Sequence, residues 1–307
     1  MRTFDRPVAI VASASFETPS EPARNEVEML LPVIHDALAK VGLTQHDIGF
    51  TVSGSSDYLQ GFPFAFVGAL DAVGAWPPIR ESHLEMDGAF ALSEAIEVLQ
   101  HGHVDTALVY AFARPSRGEL DRSLALQLDP YSVAPLWPDA RGLAGLQAQA
   151  MRDSGRFADV PEVTPTYVAD GAAAVIIAVG DRARELTKTP VWIRGIDHRI
   201  ESPALGGRDL TTSVSTKAAA ESAGATNVDA AWLHVLYPHQ ELLLRNALGL
   251  VGQPVDSAAG PMMVGGLERL AAAAEGIAAG RSKRALAHAT SGPCLQQNLV
   301  AVLEGNA

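Results

Sequence analysis

Cysteine is almost absent: Cys294 is the single one in 307 residues, which excludes an intrachain disulfide and any zinc site built from several thiolates. Positive charge is also scarce. With 23 Lys and Arg against 35 Asp and Glu, the formal net charge is -12, and no run of basic residues is long enough to track phosphates. Nucleic acid is therefore not an expected partner, and the acidic surplus favours solubility. Long apolar runs are missing too: no stretch approaches the ~20 residues of a membrane span, and the first sixteen residues hold too short a run for a signal peptide. The expectation is a soluble, cytoplasmic chain without a membrane span. What is present is 48% hydrophobic content, enough for one large domain or two similar halves.

The segment 81–112 is the most informative. Ser82, His83, Glu85, Met86 and Asp87 form a polar loop before Gly88, and Ala91, Leu92, Ala95, Ile96 and Leu99 then recur at helical spacing. Gly102 marks the helix end, and residues 104–112 read as a strand buried on both faces. A helix N-terminus carries partial positive charge and unpaired N–H groups, so the loop before Gly88 is the first candidate site.

Along the chain, strands are expected at 7–12 and 49–53, with a helix over 25–41 between them and a helical stretch over 61–74 ended by Trp76-Pro77-Pro78. Residues 114–156 are irregular, rich in proline and aromatics, with a helix over 142–152; such an insertion covers a pocket or a subunit contact. Asp170-Gly171 reads as a hairpin corner into a buried strand ending at 179. Strands at 191–200 and 229–236, helices at 212–223 and through 248, an alanine-rich helix over 265–280 and strands at 285–288 and 298–303 complete the chain. The order of elements in the two halves is similar, which divides the chain into 1–167, with its insertion at 114–156, and 168–307.

Tyr237 and His239 follow a strand and open a helix, and each admits two readings. His239 is a base or oxygen donor, or a polar cap; Tyr237 is an acid or base, or a core tyrosine with a satisfied hydroxyl. Asp87 at a helix N-terminus favours capping over base catalysis, Glu85 is a base if buried, and His83 orients it. His288 packs near a loop in which Gly292 offers a backbone donor. Ser55, Ser56, Asp57 and Tyr58 suit a turn or a subunit contact, and no metal site is expected.

The loop, the small-residue helix and the buried strand of 81–112 resemble the nucleophile segment of the thiolase superfamily. Asp170-Gly171-Ala172-Ala173-Ala174 looks like its DGAAA strand entry, Pro238-His239-Gln240 like the PHQ of type III ketoacyl synthases, Gly265-Gly266-Leu267 like the end of its histidine loop, and residues 288–294 (HATSGPC) like its HNIGGPG loop. The resemblance covers nearly the whole chain and implies an α/β protein with the duplicated, five-layered α/β/α/β/α thiolase fold. The catalytic set departs from the pattern. The nucleophile position falls on Glu85 or Met86, the Gly-His-Pro position on Ala259-Gly260-Pro261, and the second cysteine position on Ala289.

GSSDYLQG, AVGAWPP, SHLEMDGAFAL and LDPYSVAPLWPD are similar to the sterol-carrier, non-specific lipid-transfer-protein group of that superfamily, some of whose members resemble aldol-lyases. That likeness implies retro-aldol cleavage of a β-hydroxyacyl-CoA, with a steroid-like acyl group. It implies Tyr237, His239, Glu85 and Asp87 as catalytic and His83, His288 and Gly292 as substrate-binding residues. It implies acyl-CoA as substrate with no cofactor, and a homodimer, a heterodimer with a thiolase-like twin, or an OB-fold/zinc-ribbon partner. The rival readings are a catalytically empty subunit or lipid carrier, and a residual acyltransferase.

Overall fold

The computed structural model describes residues 4–18, 24–61, 63–74, 80–164 and 169–306. The chain opens with β1 (Val8–Thr18), α1 (Glu26–Lys40), β2 (Phe50–Gly54), the single turn α2 (Asp57–Gln60), α3 (Ala65–Val73), β3 (Glu81–Leu84), α4 (Gly88–Gln100) and β4 (Thr106–Ala113). The insertion carries α5 (Leu120–Leu126) and α6 (Ala140–Ser154), and β5 (Asp170–Val179) and α7 (Gly180–Leu186) follow. The rest is β6 (Val191–Ile200), α8 (Val214–Ala223), β7 (Ala230–His234), α9 (Pro238–Leu248), β8 (Val255–Ala258), α10 (Gly265–Ala278), β9 (Arg284–Ser291) and β10 (Gln297–Glu304). Local sequence sets the ends. Asn25 and Glu28 cap α1 reciprocally, each side chain accepting the other's backbone N–H at 2.8 Å.

The strands join in the order β3-β2-β4-β5-β1-β6-β10-β9-β7-β8. Read outward from its middle, each half has one order: β1 to β5 correspond in turn to β6 to β10. Only Ala9 with Trp192 and Ile10 with Val191 pair across the centre, so two five-stranded sheets meet at a narrow seam.

Because β5 pairs with both β4 and β1, it belongs to the first set. That set of strands therefore ends at Val179. Two expectations change. Residues 81–84 form β3, a strand parallel to β2 at the sheet edge, where alternation is too short to read. Gly171 lies inside β5 opposite Glu17 instead of at a hairpin corner, and an added Cβ there would overlap Pro261 and come within 2.8 Å of the Phe16 carbonyl oxygen. Trp76-Pro77-Pro78 lies outside the described residues.

Five layers result. One core cluster packs α1 and α3 on the outer face of the first sheet, and another packs α8 and α9 on the outer face of the second. The largest cluster joins the inner faces of both sheets to α4 and α10, which lie between them. Small residues allow this: a Cβ on Gly88 would stand 2.6 Å from that of Ala111 and 3.0 Å from Leu267, so the helices and sheet approach at backbone distance.

Candidate active site

The two central helices start beside one another, and a single carboxylate lies between their first turns. Asp87 precedes α4 and accepts the Ala89 N–H at 2.9 Å; it also accepts Gly266 N–H at 2.9 Å and Leu267 N–H at 3.0 Å from the start of α10. Val264, at the head of α10, offers no capping side chain of its own. One residue thus caps both helices. Burial raises the Asp87 carboxyl to about 6, and these three N–H groups counteract that shift. Glu268, also buried in the first turn of α10, is raised to about 7 chiefly by burial.

Above the two helix N-termini opens a cavity of about 450 Å³. Glu85, Met86 and Asp87 line it beside the helix starts, His234, Leu236, Tyr237 and Gln240 line it after β7, and residues 290–294 line it next to them. The insertion roofs it with apolar side chains, Leu124, Leu126, Leu128 and Leu143 among them. That size and lining match small-molecule sites. A wider groove of about 670 Å³ runs along α8 and α9 and does not reach the helix N-termini.

Of the residues singled out from sequence, Tyr237, Glu85, Asp87 and Gly292 line this cavity, and His239, His83 and His288 do not. His239 is fully buried behind Tyr237, the rings 6.0 Å apart, and its Nε2 is 3.2 Å from Oε1 of Gln147. Burial first, and Arg152 second, hold its pKa down at about 4, so the ring is neutral near pH 7. His83 stacks on Phe66 at 4.7 Å and places Nδ1 2.8 Å from Ser53 Oγ. His288 faces Asn298 at 3.0 Å inside the second sheet, where burial depresses it to about 3. Glu85 accepts the Asp57 N–H through both oxygens, at 3.0 and 3.1 Å. Asp57, His83 and Glu85 bring ligand atoms within 4.8 Å of one another, yet the Asp57 oxygens are likewise taken by the N–H groups of Phe64 and Ala65.

Two residues at or behind the cavity escaped the sequence reading. His234 ends β7, in contact with the cavity; its Nδ1 accepts the Thr290 N–H at 3.3 Å, so the neutral ring carries its proton on Nε2. Burial depresses it to about 4. A histidine closing an apolar strand that pairs in parallel with both neighbours was the available signal, since ligands gather at the carboxyl ends of such strands. Gln147 lies in the insertion, to which no chemistry was assigned, and it bonds both His239 and Gln240.

Cys294 does line the cavity, but on the side of α6. Its thiol donates to the Leu143 carbonyl at 3.3 Å, and burial pushes it up to about 11, so it is not a thiolate near neutral pH. Gly292, Cys294 and Leu295 all have positive φ, at 73°, 54° and 58°, which folds this wall back sharply toward α6. No helix among the described residues is long and apolar enough to cross a membrane.

No protein-family model matches the chain, and a search of curated proteins finds no match. Among solved structures it is similar to human mitochondrial 3-ketoacyl-CoA thiolase, at 15% identity and a TM-score of 0.76, over 98% of this chain and 99% of that one. It is also similar to human mitochondrial 3-ketoacyl-CoA thiolase in complex with CoA, at 15% identity and a TM-score of 0.75, over 99% of each chain. The duplicated strand order, the paired central helices and this whole-length likeness establish that the chain has the thiolase fold.

Proposed function

We propose that this chain is a carbon–carbon lyase that cleaves a β-hydroxyacyl thioester, an acyl-CoA bearing a bulky apolar group such as a steroid side chain. The carrying observation is the content of the cavity: Tyr237 lines it with neutral His239 behind, and its sole thiol is held protonated on the Leu143 carbonyl. Acyl transfer through an enzyme thioester needs a thiolate, and none is supplied. Retro-aldol cleavage needs a base at the β-hydroxyl and a donor at the thioester oxygen. Tyr237 takes the hydroxyl proton as the Cα–Cβ bond breaks, its own phenol proton passing to the bare Nδ1 of neutral His239. The bond's electrons enter the thioester carbonyl, and the Gly292 backbone N–H, on the cavity wall, is the donor to the resulting enolate oxygen. Protonation at Cα gives a shortened acyl thioester, and the hydroxyl carbon leaves as a ketone or aldehyde. The Asp87 carboxylate, engaged by three N–H groups, shapes the cavity beside the helix starts, and Glu85 and Gly292 border the thioester.

The test incubates the full chain with a synthetic tertiary β-hydroxyacyl-CoA and follows the shortened acyl-CoA and the ketone by mass spectrometry. Tyr237→Phe with His239→Ala is expected to lower turnover by at least about 10²-fold while the fold is kept. Equal turnover by wild type and double variant refutes the assignment. A stable acyl adduct on Cys294 would point to acyl transfer instead.

The second reading, a subunit or lipid carrier without turnover of its own, is favoured by the exposed Tyr131, Leu136 and Trp137 on the insertion, and by β3, whose outer edge has no strand partner among the described residues. On either reading that edge suits a second copy or a thiolase-like twin, and the exposed aromatic patch suits a small OB-fold partner. No turnover by the wild-type chain, alone and with such a partner, would favour the carrier.

A further inference from the structure

His239 is the one site histidine whose ring is held by a side chain of the insertion, and the geometry determines which of its nitrogens carries the proton. Gln147 is fully buried on α6 and is bonded at both ends of its amide. Its Nε2 faces two backbone carbonyls, Cys294 at 3.2 Å and Leu210 at 3.5 Å, and carbonyls only accept. The amide nitrogen must therefore stand on that side, which turns Oε1 toward α9.

There Oε1 meets His239 Nε2 and Gln240 Nε2, both at 3.2 Å. Gln240 is oriented in the same manner: its Oε1 accepts the Tyr237 N–H at 3.2 Å, and an N–H only donates, so its amide nitrogen points at Gln147. Each orientation is fixed by a backbone group with a single role. An acceptor oxygen facing His239 Nε2 requires a proton on that nitrogen. The neutral ring then has a bare Nδ1, and Nδ1 has no hydrogen-bond partner among the described residues.

We propose that Gln147 is a positioning residue that holds His239, whose ring lies 6.0 Å from that of Tyr237, as the Nε2–H tautomer, leaving Nδ1 as the ring's single basic atom; its catalytic use rests on the lyase reading. Without that oxygen the ring is free to take either tautomer, and only one of them accepts a proton at Nδ1. The insertion thus supplies the orienting group for a base that belongs to the second half of the chain.

Long-range ¹H–¹⁵N correlation spectra of the full-length labelled chain test this, with the His239 signal assigned by its loss in H239Q. The expected result is a protonated Nε2 and a bare Nδ1 in the wild type. In Gln147→Met, which keeps length but removes the acceptor, the expected result is the other tautomer or a mixture. With it, kcat falls on the order of 10²-fold and KM changes by less than about threefold. An Nδ1–H tautomer in the wild type overturns the proposal, as does a Gln147→Met chain with unchanged tautomer and kcat. If that variant does not fold, the wild-type spectrum alone decides. A tautomer that behaves as expected in a chain with no turnover refutes the lyase reading and leaves the hold of Gln147 on His239 standing.

Discussion

At the scale of single residues, buried titratable groups pull against one another. Asp87 and Glu268 have carboxyls raised from 3.8 to about 6 and from 4.5 to about 7, so the folded chain binds their protons more tightly than the unfolded chain. Their stabilising effect is complete below the lower value of each pair and is lost as pH rises through the higher one. His234 and His239, held at about 4, and His288, at about 3, do the opposite. Their effect is complete above the ordinary histidine value of 6.5 and is lost as pH falls through the depressed values. Three histidines outweigh two carboxyls, so stability is expected to rise from about pH 4 to about pH 7 and then level off. Urea midpoints across that range check it: Asp87→Asn should steepen the rise and His288→Gln should flatten it. A His288→Gln chain with the wild-type slope would count against a buried neutral imidazole at that position.

At the scale of elements, glycine separates what the helices need from what they tolerate. A Cβ on Gly265 would overlap the Ala259 carbonyl oxygen and stand 2.9 Å from Nε2 of His234, so Gly265→Ala should cost at least about 3 kcal/mol. Gly145, inside α6, has nothing within 4 Å, so Gly145→Ala should stabilise by about 0.5–1 kcal/mol. Paired urea titrations of the two variants measure both effects; comparable changes would contradict the close packing at the head of α10. The same contrast explains what could be read beforehand. The helical spacing of Ala91, Leu92, Ala95, Ile96 and Leu99 and the apolar run after Gly102 carried α4 and β4 almost to their ends. β3 and β8, four residues each, were missed because so short an edge strand shows no period. Helix-start logic placed Asp87 at a cap, as it is, and the strand-to-helix turn pointed to Tyr237, which lines the cavity. Which way His239 turns is decided by Gln147, 92 positions away, and nothing local to either residue encodes that.

At the scale of the whole molecule, the two repeats share one interior. The sheets join through two residue pairs, whereas the central cluster takes side chains from both repeats, so the seam alone cannot hold either half. A fragment ending at residue 189 would expose the buried flank of α4 and should show no cooperative unfolding by circular dichroism; a sharp transition would show that the first repeat is independent. Asp87 adds a direction to that dependence. The first repeat lends its carboxylate to a helix that is made 178 positions later and has no cap of its own. During synthesis the lender leaves the ribosome well before the borrower, so this acid stays hydrated and half-engaged until the second repeat arrives. Its withdrawal from water then marks the moment at which two successive folding events become a single one.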